Sequence, residues 1–396
     1  MGARELISID EARERILAEV RPLPAEDVGL SATLGRVLAA AAVADHDLPP
    51  FDASAMDGFA VPAGDPGTLR IDGESRAGAP AQSRLTAGIA CRISTGAVVP
   101  EGTHAVVPVE ATEEHDGEVA VPASRAGANV RLAGEDVRAG ETVLAAGSEI
   151  GAAEVAVLAS LGMPEVSCAR QPRLAMLATG DELVEPGAAL APGQIRNSNA
   201  YGVAAQATRA GAEVVERGRV PDDPGATRDA LAAALAAADV VCVSGGVSVG
   251  PHDHVKPALS ELGVAERFWG VRLQPGKPTW FGVRDGTLVF GLPGNPVSAM
   301  VTFHLFARPA VRALQGADPG IRPAAARLGE PLRRNPKRDQ MVRVRLEPGD
   351  GGWIARPTKA QQSHVLTSML GAAALARVPA GEGDVAAGER IDIELL

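Results

Sequence analysis

The chain has 396 residues, 46% of them hydrophobic and 22% charged, and a net charge of −11. That length exceeds one core of ~100 to 200 residues, so two to four domains are expected, and no apolar run approaches the ~20 residues of a membrane helix. The acidic balance excludes broad attraction to nucleic acid or anionic membrane, which needs clustered Lys and Arg.

The opening stretch lacks the continuous apolar core of a signal peptide. Cys91, Cys168 and Cys242 are far apart and odd in number, with no CxxC, so neither a disulfide framework nor a thiolate zinc site is indicated. The cytoplasm is the expected compartment. Ser8 and Glu11 have capping-box spacing, and Ile9, Ile16, Leu17 and Val20 form one stripe, predicting a helix over 9–20. From Leu48 to about Ala139 the pattern turns to short runs such as "CRIST", "HAVVPVEA" and "EVAVPA" between Gly, Pro and Asp, which reads as a β-rich module. "GAAEVAVLASLG" then reads as a helix stopped by Gly162, so that the module is an insertion in a helical base.

From Arg173 to about Gly316, apolar strands alternate with Ala-rich amphipathic helices. This pattern predicts a parallel sheet covered on both faces, with ligands beyond the carboxyl ends of its strands. After about Ile321, "QMVRVRL", "WIARP", "AALARVP" and "RIDIELL" read as strands of a small barrel or sandwich.

Three strand-end loops then carry the chemistry. "ATGDEL" places Asp181 and Glu182 after a Thr-Gly turn, either to cap a helix or to coordinate a divalent cation. "SGGVSVGPHDH" offers paired glycines, which let backbone approach a phosphate without a Cβ clash, and the hydroxyls of Ser244 and Ser248. It contains neither GK[ST] nor GxGxxG. Just beyond, Asp253 suits Mg²⁺ shared with a phosphate better than His252 and His254 suit zinc, since no third ligand cluster is near. "GLPGNPVSA" places Asn295 before a first-turn Pro296, and "LQPGKPTWFG" puts Lys277 in a Gly-Pro turn at the same sheet edge.

Taken together and in order, "TGDEL", "SGGVSVGPHD", "PGKP" and "LPGNPVS" resemble the molybdopterin molybdenumtransferase family, that is MoeA and the gephyrin E domain. "PPFDASAMDGFAV", "RISTGAVVPEGTHAVVPVE" and "NVRLAGEDVRAGE" extend the likeness over nearly the whole chain. The resemblance implies a multidomain α/β plus β architecture. Residues 1–47 and 140–171 would form the helical base and 48–139 the inserted β-rich module. Residues 172–318 would be a three-layer α/β domain resembling molybdopterin-binding proteins, and 319–396 a C-terminal β-barrel. It also implies a homodimer with shared active sites, contact with other molybdenum cofactor enzymes, and insertion of molybdate into adenylylated molybdopterin with Mg²⁺-dependent release of AMP.

Carried over by residue, the resemblance puts Asp57, Thr95 and Asp136 on a wall supplied by the partner subunit. Glu182, Asp239 and Asp253 become the acidic set around pterin and metal, with Glu182 and Asp253 as Mg²⁺ ligands. Lys277, Arg338 and Ser363 become the molybdate site, and Ser244, Gly245, Gly246, Ser248, Pro293 and Asn295 cradle the phosphate. Cations and a hydroxyl suit a tetrahedral dianion. Asp239 can equally cap the preceding helix or turn, Asp57 can be a turn residue, and Arg131 can face the surface or a dimer seam. The sequence departs from the family pattern at Lys337, Met341, Gln362 and Gln274, and Ser368 competes with Ser363. Two other functions compete: adenylylation of molybdopterin from ATP, and a non-catalytic dimeric scaffold.

Overall fold

The computed structural model describes residues 5–64, 66–246, 253–320, 323–358 and 360–396. Seven α-helices occur among them: α1 Ile9–Glu19, α2 Ala152–Ser160, α3 Ser198–Arg209, α4 Pro224–Ala237, α5 Val255–Glu261, α6 Pro296–Thr302 and α7 Arg308–Leu314. The chain divides into two compact units, one comprising Val28–Leu34 and Ala40–Val166, the other the remainder.

In the first unit, the β-rich module is a six-stranded sheet in the order 105–108, 58–61, 89–93, 67–75, 118–121, 113–115. Its alternating residues bury Phe59, Val61, Ala90, Val107 and Val119 on one side and Ala60, Cys91, Ile93 and Val106 on the other. The two helices expected to share a base fall into different units. α2 stays with the module, whereas α1 buries Ile9, Ala12 and Ile16 in the core of the second unit. Ser8 caps α1 as expected, its hydroxyl accepting from the Glu11 amide (3.1 Å).

The second unit contains the α/β sheet, in the order 213–220, 173–179, 240–244, 287–292, 280–284, 265–269. Its first four strands are parallel and the fifth runs antiparallel. Strand alternation sends Leu174, Met176 and Ala178 to one face, with α1, α3, α6 and α7, and Ala175 and Leu177 to the other, with α4 and α5. These two cores account for the near-continuous apolar runs of the sequence, because both faces are covered. Five strands, 324–328, 339–349, 352–357, 374–378 and 390–395, close into a barrel through pairing of the second with the fourth.

The run Pro296–Leu314 is one continuous helical stretch that contains a π-helical segment at Phe303–Ala307. Such segments are uncommon and concentrate at functional positions.

Candidate functional site: the strand-end cavity

Parallel register aligns the ends of the three central strands, with Ala178 beside Ser244 and Ser244 beside Leu292. The loops "TGDEL", "SGG" and "PGN" therefore leave the sheet side by side. Gly245 and Gly246 have φ of +89° and +64°. A Cβ on Gly245 would lie 2.7 Å from Thr179 Oγ1, and one on Gly246 2.6 Å from Val255 Cγ2. Only glycine meets both the backbone conformation and the closeness of approach. The turn is thus pinned between the first loop and the start of α5.

Side chains tie the loops together. Asn199, on α3, donates through Nδ2 to Ser244 Oγ (2.8 Å) and to the Gly294 carbonyl (2.7 Å). Ser244 Oγ in turn donates to the Pro293 carbonyl (3.0 Å). This clasp uses Ser244 as structural support for the Pro293 loop. Asn295 does not cap α6 with its side chain. Its Nδ2 instead donates to Ser363 Oγ (3.0 Å), and the Val297 amide donates to the Ser363 carbonyl (3.1 Å).

Beside these loops opens a cavity of about 540 Å³ whose walls include Pro293, Asn295, Lys277, Arg338 and Ser363. All five were assigned through the resemblance, and they arrive from segments up to 86 residues apart, from 277 to 363. The two cations are spaced by backbone pairing. Leu273 and Gln274 form a short parallel ladder with Asp339 and Gln340, and the Asp339 amide donates to the Arg272 carbonyl (3.0 Å). Asn335 shapes the Arg338 turn, accepting at Oδ1 from the amides of Lys337 (2.9 Å) and Arg338 (3.1 Å), while its Nδ2 donates to Gln274 Oε1 (2.6 Å). Gln274, Gln361, Gln362 and His364 add further polar groups to the wall. Among the described residues no Asp or Glu lines it, so Lys277 and Arg338 share a wall free of carboxylates there, as an oxyanion requires.

Ser363 and Ser368 have different surroundings. Ser363 lines the cavity, whereas Ser368 is 6% exposed and accepts from Arg343 Nε (3.3 Å). Arg343, 1% exposed, also donates through Nη2 to the carbonyls of Ala360 (3.1 Å) and Gln362 (3.4 Å). Burial holds its pKa down at about 10, still protonated at neutral pH. It clamps the strap that carries Ser363. Sequence reasoning missed Asn199, Asn335 and Arg343, and a strand pattern such as "QMVRVRL" gives no sign which Arg points inward.

The acidic set is distributed less compactly. Glu182 turns its carboxylate back over Gly180, where a Cβ would lie 2.5 Å from Oε2. Asp253 is half-buried and already engaged, two residues before α5. Asp239 is a correction: it precedes its strand and lies at the amino end of the sheet, about 16 Å of extended chain from Ser244. There it accepts from Arg170 Nη2 (2.8 Å) and Nη1 (3.0 Å) and from the Arg173 amide (2.8 Å). Burial raises its pKa, but these three bonds outweigh that and hold it below the usual value. It ties the start of its strand to Arg170 and Arg173 rather than capping the preceding helix. Ser248 and His252 lie outside the described residues.

In the other unit, Asp57 Oδ1 accepts from the Thr95 amide (2.7 Å), bringing together two residues assigned to one wall. Asp136 is exposed on a separate turn, its amide donating to the Leu48 carbonyl (3.0 Å). Among the described residues no three His, Cys, Asp or Glu side chains converge on a metal position. Glu182 and Asp253, both presented from strand-end loops, have the donor chemistry for Mg²⁺ completed by ligand phosphate oxygens.

A largely parallel sheet covered on both faces, with glycine turns beside a cation-lined cavity, is an α/β architecture whose strand ends suit an anionic ligand. Comparison with known proteins narrows this. Residues 7–162 match "MoeA N-terminal region (domain I and II)", 175–313 "Probable molybdopterin binding domain" and 325–396 "MoeA C-terminal region (domain IV)". The chain is 36% identical over 400 residues to the molybdopterin molybdenumtransferase of Haemophilus influenzae, covering 98% of each. It is also 36% identical over 402 residues to molybdopterin molybdenumtransferase 2 of Mycobacterium tuberculosis, covering 97% of this chain and 98% of that one. The crystal structure of a Pyrococcus molybdopterin biosynthesis MoeA protein superposes with a TM-score of 0.83 at 31% identity, covering 99% of both chains. The chain belongs to the MoeA family, the molybdopterin molybdenumtransferases.

Proposed function

We propose that the chain inserts molybdate into molybdopterin, taking the adenylylated form of the pterin and releasing AMP in a Mg²⁺-dependent step. The observation that carries this reading is the single cavity that collects Lys277, Arg338, Ser363 and Asn295 beside the glycine turns of the sheet. The two cations bind and orient the tetrahedral oxyanion, with the Ser363 hydroxyl, itself held by Asn295, as a further donor. The Gly245–Gly246 turn and the Pro293–Asn295 loop offer backbone to the phosphate end. Glu182 and Asp253 would hold Mg²⁺, which supplies charge neutralisation for cleavage of the phosphoanhydride. Keeping carboxylates out of the cavity walls prevents repulsion of the incoming dianion.

The reading further includes a cytoplasmic homodimer whose partner supplies Asp57, Thr95 and Asp136 to the site. The Asp57–Thr95 hydrogen bond supports it by fixing that pair as one surface feature. The test incubates purified protein with adenylylated molybdopterin, molybdate and Mg²⁺, following AMP by chromatography and cofactor by reconstitution of a molybdoenzyme. Stoichiometric AMP and active cofactor are expected. Absence of AMP with authentic substrate would overturn the reading.

A further inference from the structure

The arm that presents Glu182 is exposed and lies outside the six-stranded sheet, in a two-residue parallel ladder of Leu183–Val184 with Ile195–Arg196. The Ile195 amide donates to the Glu182 carbonyl (2.8 Å) and the Asn197 amide to the Val184 carbonyl (2.9 Å). So short a ladder holds the arm by few backbone bonds. Side chains add the rest, and they meet at Glu185.

Glu185 Oε1 accepts from Asn197 Nδ2 (3.0 Å) and its Oε2 from the Tyr201 hydroxyl (2.8 Å), while its carbonyl accepts from Arg196 Nη1 (3.1 Å). Asn197, 1% exposed, is the cap of α3, its Oδ1 accepting from the Ala200 amide (3.2 Å). Tyr201 follows four residues on, with the Arg217 guanidinium 3.8 Å from its ring centroid. From the same strand as Arg217, Arg219 donates through Nη1 to the Leu183 carbonyl (2.9 Å). A carboxylate bonded at both oxygens by two side chains from the start of one helix is fixed in direction as well as place, unlike a loose surface ion pair. The hydrogen bonds from Asn197 and Tyr201 hold the Glu185 carboxyl below the usual carboxylate range, with burial opposing and Arg217 and Arg219 assisting.

The start of α3 also serves the other two strand-end loops. Asn199 ties Ser244 Oγ (2.8 Å) to the Gly294 carbonyl (2.7 Å). Residues two apart on a helix lie about 200° apart around it, so Asn199 and Tyr201 grip different partners from opposite sides. Glu185 thereby joins the "TGDEL" loop to the helix turn that gathers the "SGG" and "PGN" loops.

We propose that Glu185 is a positioning residue for the site: it latches the Glu182 arm onto the start of α3, so that the acidic loop and the two loops held by Asn199 move as one body. Its consequence for the reaction rests on the proposed Mg²⁺ role of Glu182. Groups that orient a metal ligand without touching the metal commonly matter by about 10-fold to 100-fold in metal affinity or activity.

The test compares the full-length wild type with Glu185→Ala and with Tyr201→Phe, which removes one of the two side-chain bonds at the carboxylate. Tyr201 is the one tyrosine of the chain, so ultraviolet titration reads its phenol alone. The Glu185 hydrogen bond holds that phenol above its ordinary value, and Glu185→Ala should return it towards that value. Amide hydrogen exchange followed by mass spectrometry should rise in Glu185→Ala across residues 181–197 and also in the loop around Gly294, with the melting temperature nearly unchanged because the latch is exposed. In AMP release, Glu185→Ala should raise the Mg²⁺ concentration for half-maximal rate by about tenfold and leave the molybdate KM unchanged, since Lys277 and Arg338 stand on other segments. Tyr201→Phe should shift the Mg²⁺ requirement in the same direction by less. A phenol that titrates alike in wild type and Glu185→Ala, a rise in exchange confined to 181–197, or an unchanged Mg²⁺ requirement in active enzyme would each overturn the proposal. Should the wild type release no AMP, exchange around Gly294 still decides whether the latch couples the loops, so its failure and that of the insertion reading are told apart.

Discussion

The two ends of the central sheet use the same kinds of residue to opposite effect. At the amino end, Asp239 and Arg170 neutralise one another in a two-bond ion pair that closes the strand's start. At the carboxyl end, Lys277 and Arg338 reach a cavity with no carboxylate among the described residues of its walls, beside glycines and hydroxyls. A charge satisfied by its own chain stabilises; one left facing a hollow recruits a ligand. The position of a residue before or after its strand separates the two, and it sets Asp239 apart from the loops at the carboxyl end.

The contrast can be broken most sharply at the cations. Lys277→Ala should lower kcat/KM for molybdate insertion by about 100-fold to 1,000-fold, as loss of a preorganised donor to an oxyanion does, with the fold intact by circular dichroism. A loss under threefold would show that the cavity does not hold the oxyanion. Asn199→Ala removes the clasp between the Ser244 and Gly294 loops. It should cost about tenfold in kcat, with a smaller effect on molybdate KM, because loop positioning rather than charge is lost.

Ser363→Ala and Ser368→Ala separate binding from support. The first should raise the molybdate KM several-fold with little change in melting temperature. The second leaves Arg343 Nε without its acceptor and should lower stability by about 1 to 3 kcal/mol by denaturant titration. The reverse pattern would exchange their roles.

The smallest effect belongs to the amino end. Asp239→Asn should leave the insertion rate within twofold and cost about 1 kcal/mol at neutral pH, since the pair is partly solvated. Its carboxyl is held below 3.8 in the folded chain. The lost stability is therefore present above that value and fades as pH falls through the folded pKa, so wild type and variant should converge in strongly acidic melts. A large loss of activity would return Asp239 to the site.

Much of this was legible in the sequence. Alternating apolar strands and Ala-rich helices gave the layered sheet, and strand direction placed the three loops on one edge. Lys277, Arg338, Ser363, Pro293 and Asn295 were found through motif resemblance, and the fold brings them to one cavity. What escaped depends on contacts between distant segments. Asn199 meets Gly294 across 95 residues, and Arg343 meets Ser368 across 25 with no local pattern to mark it. The π-helical segment lies in an apolar run that a regular helix would fill equally well. The partition of the two predicted base helices into separate units follows from which core each stripe meets, and a stripe does not name its partner.

The two-rung ladder joining Leu273–Gln274 to Asp339–Gln340 has a consequence for metal choice. It acts as a caliper whose jaws, the Lys277 turn and the Arg338 turn, are set by main-chain geometry rather than by flexible side chains alone. On the proposed reading, cations spaced in this way meet molybdate and tungstate, tetrahedral dianions of nearly equal size, alike, leaving discrimination between the two heavy metals to supply rather than to fit.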